Sequence, residues 1–241
     1  MKLSAILAIA ITSAANAALE PQYFVQGFEI SHEQSDVDFQ GAYDDGARFV
    51  YIKSSEGLTA DPSYSTHFAA ANSTDLLRGA YHVVRPDINT WGREVQFLIH
   101  HGGQGYADGM TLPPMLKLGT DPDSDVEDCY GLSPTDIVGW LTSFADNYNF
   151  YESAIPFIYT SYDWWTRCCA GVNDPWADLY GLCPLALEAY GDEAGPVPEK
   201  WGNQTIWQNS DSYDFGGSSD LFMGDYEGLK SGFTRFFEPP A

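Results

Sequence analysis

Short apolar runs that take turns with helical stretches constrain this chain more than any other feature. The strand-like segments are YFVQGFEI (23–30), RFVYIKSS (48–55), RGAYHVV (78–84), PPMLKLG (113–119) and AIPFIYT (154–160). Between them, Pro62–Ser73, Thr90–His101 and Pro134–Tyr148 carry amphipathic helical periodicity. Strand and helix in alternation predict βα units around a parallel sheet. After residue 160 the pattern changes: LCPLALEAY (182–190), QTIWQNS (204–210) and DLFMG (220–224) are separated by Gly, Pro, Asn and Asp. The expected fold is therefore α/β: a single incomplete (β/α) barrel, TIM-like, whose last strands lack full helices.

The first residues, MKLSAILAIAITSAANA, combine an early lysine, an apolar run and a small-residue ending at Ala17. That pattern predicts a cleaved secretory leader over 1–17 and a barrel domain over 18–241. The apolar run is shorter than the ~20 residues of a spanning helix, and no later segment is predicted to cross a membrane. Seven tryptophans and fifteen tyrosines supply apolar area for one core, and the expectation is a secreted monomer.

Removing the leader takes away Lys2 and no acid, so the charge moves from −23 to −24. Such a surface excludes nucleic acid and anionic membrane as partners and makes a neutral polysaccharide an easier one. The four cysteines, Cys129, Cys168, Cys169 and Cys183, predict two disulfides in an exported chain. Cys168 and Cys169 are adjacent and are not expected to pair with each other; which of them takes Cys129 and which Cys183 is open. Asn72-Ser73-Thr74 and Asn203-Gln204-Thr205 are candidate N-glycan acceptors. No cofactor is implied, and the acidic stretch DPDSDVED lacks the glycine and terminal glutamate spacing of an EF-hand loop.

In such barrels, chemistry sits where strands end at the C-terminal face. Glu29, Glu56, Lys117, Gly119 and Asp220 stand at or near such ends. A lone acid there caps a helix more often than it catalyses. Lys117 is the anomaly, because it breaks an apolar strand with a charge.

The blocks GFEISHEQSDVDFQGAYDDGARFVYIKSSEG, DPSYSTHF, RGAYHVVRP, LPPMLKLG, PFIYTSYDWW and TIWQNSDSYDFGGSSDLFMGD are together similar to glycoside hydrolase family 25, the muramidases often called Chalaropsis-type lysozymes. The similarity spans nearly all of 18–241 and implies that family's incomplete barrel. It also implies an aspartate ending the first strand, where this chain has Glu29, and an Asp-x-Glu pair ending the fourth, where it has Lys117-Leu118-Gly119. Glu56 and Asp220 match family acids. In the family the glutamate of that pair is the general acid and the aspartate assists at the sugar.

Residues i and i+2 of a strand share a face, so an Asp-x-Glu sets two carboxylates about 6 to 7 Å apart. Glycoside hydrolysis needs one to protonate the leaving oxygen and negative charge to support an oxocarbenium-like centre. Lys117 and Gly119 supply neither. The resemblance therefore implies an impaired enzyme keeping a groove for peptidoglycan or chitin-like glycan, with Glu29 and Asp220 as the retained catalytic positions. In that picture Glu29, Glu56 and Asp220 surround Lys117, with Glu188 a further partner. Glu56, Tyr81, His82, Glu188, Tyr190 and Trp207 are candidate sugar contacts. His32 is a candidate groove residue, and Trp164 and Trp165 are expected to divide between core and groove wall.

Two other readings stay open. One is an active muramidase with relocated carboxylates, drawn from Glu29, Glu188, Asp220 or the acids Asp121, Asp123 and Asp125. The other is a secreted interaction protein using the barrel as scaffold.

Overall fold

The computed structural model describes residues 24–106, 108–119, 127–172 and 179–233. The predicted leader and Asp121, Asp123 and Asp125 lie outside the described residues. The strands are β1 Val25–Ile30, β2 Phe49–Glu56, β3 Thr59–Ala60, β4 Leu77–Val83, β5 Met115–Lys117, β6 Phe157–Ser161, β7 Leu185–Glu188, β8 Ile206–Ser210 and β9 Ser218–Phe222. Their order is β1-β9-β8-β7-β6-β5-β4-β2-β3, and β1 also pairs with β2, so all but the appended β3 close into a barrel.

Every pairing from β1 through β2 and β4 to β8 is parallel, whereas β9 runs antiparallel to both β8 and β1. The reason lies in the connections. Helices α1 Phe39–Asp44, α2 Tyr64–Ala71, α3 Trp91–Leu98 and α4 Pro134–Glu152 carry the chain back between the early strands, followed by α5 Tyr162–Cys168 and α6 Leu179–Leu182. Between β8 and β9 there is no helix, only a short turn-rich link, and strands joined directly must run antiparallel. A final helix, α7 Tyr226–Phe233, follows β9.

Period-two alternation divides the strand side chains between two cores. Phe49, Tyr51, Met115, Phe157, Ile206 and Phe222 fill the barrel interior. Gly27 and Gly79 make room for two of these rings: a Cβ on either would come within 2.4 Å of the Phe49 or Tyr51 ring. The other strand face packs against helices. On α4, Ser133 caps the start by accepting from the Asp136 amide, Pro134 occupies the first turn, and Ile137, Leu141, Phe144 and Tyr148 bury one stripe against the barrel.

Only one of the two expected disulfides is present. Cys129 pairs with Cys168, tying the segment before α4 to the end of α5. Cys169 and Cys183 are free thiols buried in the same apolar cluster. Burial pushes the Cys169 thiol up to about 12 and raises Cys183 as well, which makes both small hydrophobes and poor nucleophiles. Denaturation without reductant should therefore expose two titratable thiols, with neither reacting in the native fold. Absence of any thiol after denaturation would mean that a second bridge exists.

Candidate functional site

The parallel strands deliver their C-terminal ends to one mouth of the barrel. Alternation turns Glu29 of β1, Lys117 of β5, Tyr159 of β6, Glu188 of β7, Gln208 of β8 and Asp220 of β9 toward it. Lys117 is in register with Tyr159, Glu188 with Gln208, and Gln208 with Asp220. These six side chains therefore meet although they span almost the whole chain.

The Lys117 ammonium makes a salt bridge to Glu29 Oε1 from the opposite side of the barrel. It also lies 4.3 Å from the centroid of the Tyr159 ring and 5.3 Å from that of Tyr81, a cation–π arrangement that adds to the ion pair. A lysine is thus accommodated among aromatic walls because a carboxylate and two ring faces receive it. The second oxygen of Glu29 is buried and has no partner within the described residues.

Asp220 lies deeper, 1% exposed, with Gln208 Nε2 at 3.3 Å from its Oδ1. Burial first, and the charge of Glu29 second, hold its carboxyl well above the usual carboxylate range, with Lys117 and Gln208 pulling the other way. A folded-state pKa above the unfolded value means that the folded chain holds the proton longer. The stability this group contributes is present below about pH 4 and is lost as pH rises through the raised folded value. Asp220→Asn should remove that slope, so its stability relative to the unaltered chain improves from about pH 4 to about pH 8 in urea unfolding. An equal loss at every pH would contradict this.

Tyr159 links the two sides of the mouth. Its hydroxyl is 2.7 Å from Glu188 Oε2 and 2.6 Å from Gln208 Oε1, but a phenol has one proton for two acceptors. When Glu188 takes it, Gln208 can turn its amide nitrogen to the phenol and its oxygen to Asp220. The neutral acid form of Asp220 completes that chain by donating. Burial, Glu29 and Glu188 together raise the Tyr159 phenol well above its ordinary value, so it stays a donor.

Above these groups lies a cleft of about 430 Å³, lined among others by Glu33, Tyr81, Lys117, Glu188 and Tyr190. Of the predicted sugar contacts, Glu56, Tyr81, Glu188 and Tyr190 line it, and Tyr190 is half exposed at the rim. His32 and Gly119 line it too.

His82 and Trp207 do not, and they are corrections. Each sits one residue out of phase with an inward neighbour and so faces outward. His82 is fully buried behind the wall, with Nδ1 2.9 Å from Ser55 Oγ and Nε2 3.0 Å from Glu94 Oε2. The Trp207 indole donates to the Ala189 carbonyl. Glu56 is not a partner of Lys117 either, because Lys53, three residues away, binds it at 2.9 Å. Glu188 likewise turns to Tyr159 and not to Lys117. Trp164 and Trp165 are both buried in the outer core, and neither reaches the groove wall.

Reasoning from motifs alone passed over Lys53, Arg85, Tyr159 and Gln208. The signal for Tyr159 and Gln208 was parity, since each lies two residues from an inward-facing core residue, Phe157 and Ile206. Among the described residues, the Asp128, Cys129 and Cys168 cluster is the group of metal-type ligands brought together. Both of its sulfurs are in the disulfide, which leaves no thiolate to bind an ion.

The family model for glycosyl hydrolases family 25 matches residues 28–218, a span that includes each of the strand ends described above from Glu29 to Glu188 and Gln208. The chain belongs to glycosyl hydrolases family 25. An N,O-diacetylmuramidase of Arthroderma benhamiae is 38% identical over 237 residues, covering 95% of this chain and 97% of that protein. Another of the same name from Chalaropsis is 38% identical over 211 residues, covering 86% and 97%. A family 25 lysozyme structure from Aspergillus fumigatus superposes with a TM-score of 0.82 at 38% identity, covering 90% of this chain and 100% of that one.

Within this family 25 barrel, the positions that the resemblance assigns to Asp-x-Glu are occupied by a paired ammonium and by a glycine. Gly119 has φ +156°, a conformation side-chain-bearing residues rarely adopt, and an added Cβ there would meet no atom of the described residues within 4 Å. Among the described residues, no side chain fills the space beside Gly119.

Proposed function

We propose that this chain is a secreted family 25 protein that holds a cell-wall glycan in the barrel-mouth groove and has lost most of the family's muramidase chemistry. The observation that carries this reading is the Lys117–Glu29 salt bridge beside a side-chain-free Gly119. A cation stands where negative charge would support an oxocarbenium-like centre, and position 119, where the family's acid would protonate a leaving oxygen, carries no side chain. Glu29 and Asp220 keep family positions, but one is bound to Lys117 and the other is buried beneath it. Loss of general acid catalysis alone costs roughly 10² to 10⁴ in rate.

The 1–17 leader pattern and the Cys129–Cys168 bridge support export to an oxidising compartment. Among the described residues no helix is long and apolar enough to cross a membrane. Asn72 and Asn203 are both exposed, as glycan acceptors must be. The expected form is a monomer.

The test is release of reducing ends from peptidoglycan between about pH 4 and about pH 7, beside retention on the insoluble polymer. The reading predicts retention with release near background. Release at the rate of an intact family member would overturn it. The second reading, a relocated acid, is favoured by one observation: Glu188 lies on the cleft wall and accepts from Tyr159. It predicts measurable release that Glu188→Gln abolishes.

A further inference from the structure

We propose that the groove selects an uncharged N-acetylglucosamine polymer of the chitin type over glycan strands that carry anionic muramyl peptides. This deepens the glycan-binding reading above and rests on it.

The cleft of about 430 Å³ continues into a second of about 470 Å³. The two share His32, Lys53, Glu56 and Arg85, so they form one trough across the strand ends. Its length suits a chain of sugars.

Every permanent cation in that trough already has an acid of its own. Lys117 is bound by Glu29, and Lys53 by Glu56 at 2.9 Å. Arg85 holds both oxygens of Asp87, at 2.9 and 2.7 Å, a bidentate pair whose geometry a ligand carboxylate would have to displace. His32 Nδ1 lies 2.7 Å from Asp61 Oδ2, so even a protonated imidazole there is matched. Glu33 and Glu188 also line the trough, and no cation pairs with either among the described residues. The trough therefore carries surplus negative charge, inside a chain whose total is −23.

A muramyl-peptide strand brings carboxylates to nearly every second sugar. In this trough they meet acids and find no unengaged ammonium or guanidinium, so binding carries like-charge repulsion. A chitin-type chain has no charge to repel. Its hydroxyl and acetamido N–H groups are donors, which the carboxylates of Glu33 and Glu188 on the trough wall accept. The apolar faces of its rings suit Tyr190, 53% exposed at the rim, and the Tyr81 ring in the wall.

The experiment is calorimetric titration of the full chain with chitohexaose and, separately, with a soluble uncrosslinked muramyl-peptide glycan of equal sugar count. Each is run at about 20 mM and about 500 mM salt, where screening lengths differ severalfold. Chitohexaose should bind at least about tenfold tighter at low salt, with little salt dependence. The muramyl-peptide ligand should gain affinity as salt rises, narrowing the gap. Equal or tighter binding of the muramyl-peptide ligand at low salt, or its weakening as salt rises, would overturn the selectivity and leave the glycan-binding reading intact. Binding of neither ligand would overturn the glycan-binding reading itself, and the selectivity with it.

Discussion

A chain carrying Lys117→Asp and Gly119→Glu together is expected to release reducing ends from peptidoglycan at least about 10²-fold faster than the unaltered chain. Lys117 ends β5 and Gly119 follows it by two residues, so once the backbone at 119 is extended the substituted side chains share one face, about 6 to 7 Å apart. The aspartate removes the cation from the mouth, and the glutamate supplies a proton donor at its rim. Among the described residues nothing lies within 4 Å of a Cβ at 119, so they leave room for the side chain. The obstacle is the backbone, because φ +156° must relax before a glutamate sits comfortably. That relaxation keeps the expected gain toward the low end of what a general acid provides. Lys117→Asp alone restores charge without an acid and should gain less than about tenfold. Equal rates in all three chains would mean that these two positions do not decide activity.

Lys117→Met is expected to lower stability by about 2 to 3 kcal/mol at neutral pH. The substitution leaves Glu29, 5% exposed, beside the buried Asp220 with no counter-charge. Breaking a fully buried pair costs more, but the Lys117 side chain is 26% exposed, so water reaches the gap and takes up part of the loss. In a domain of this size the melting temperature should fall by roughly 5 to 10 °C. The sign of the pH dependence follows from the same electrostatics. Without the ammonium, which pulls the raised Asp220 carboxyl downward, Asp220 holds its proton more tightly in the folded state. The deficit is therefore present at neutral pH and disappears as pH falls below about 4, where the unfolded carboxyls protonate too. Lys117→Met with Glu29→Gln should recover most of the loss. Urea unfolding of the three chains at both pH values measures this, and a deficit in Lys117→Met that persists undiminished at low pH would contradict it.

The barrel was legible because each of its strands is an apolar run bounded by turn formers, and because Pro134, Asp136 and the buried stripe of α4 agree about one helix. The reversal of β9 was not, since direction depends on what joins two strands, and apolar content along DLFMG is the same either way. At the mouth, motif blocks brought out Glu29, Lys117, Gly119 and Asp220, the residues where this chain departs from or keeps the pattern of its family. Blocks do not resolve faces, however. His82 and Trp207 stand in matching blocks yet point away from the groove, while Tyr159 and Gln208, which stand in such blocks as well, point in. Ion-pair choice was the least legible feature: Lys53 lies within three residues of Glu56 and binds it, so Lys117 is left to Glu29 across the barrel. Two thiols that cysteine number alone would bridge instead fill apolar space.

The central claim is that the groove engages a glycan without cutting it, because Lys117 and Gly119 stand where two carboxylates would act. It is tested most directly by holding a defined N-acetylated tetrasaccharide with a stoichiometric excess of the full chain and following the same sample by ligand-observed NMR and mass spectrometry. The account predicts line broadening that reports a complex, and recovery of the intact tetrasaccharide. Conversion to disaccharides, abolished by Glu188→Gln or Glu29→Gln, would contradict it.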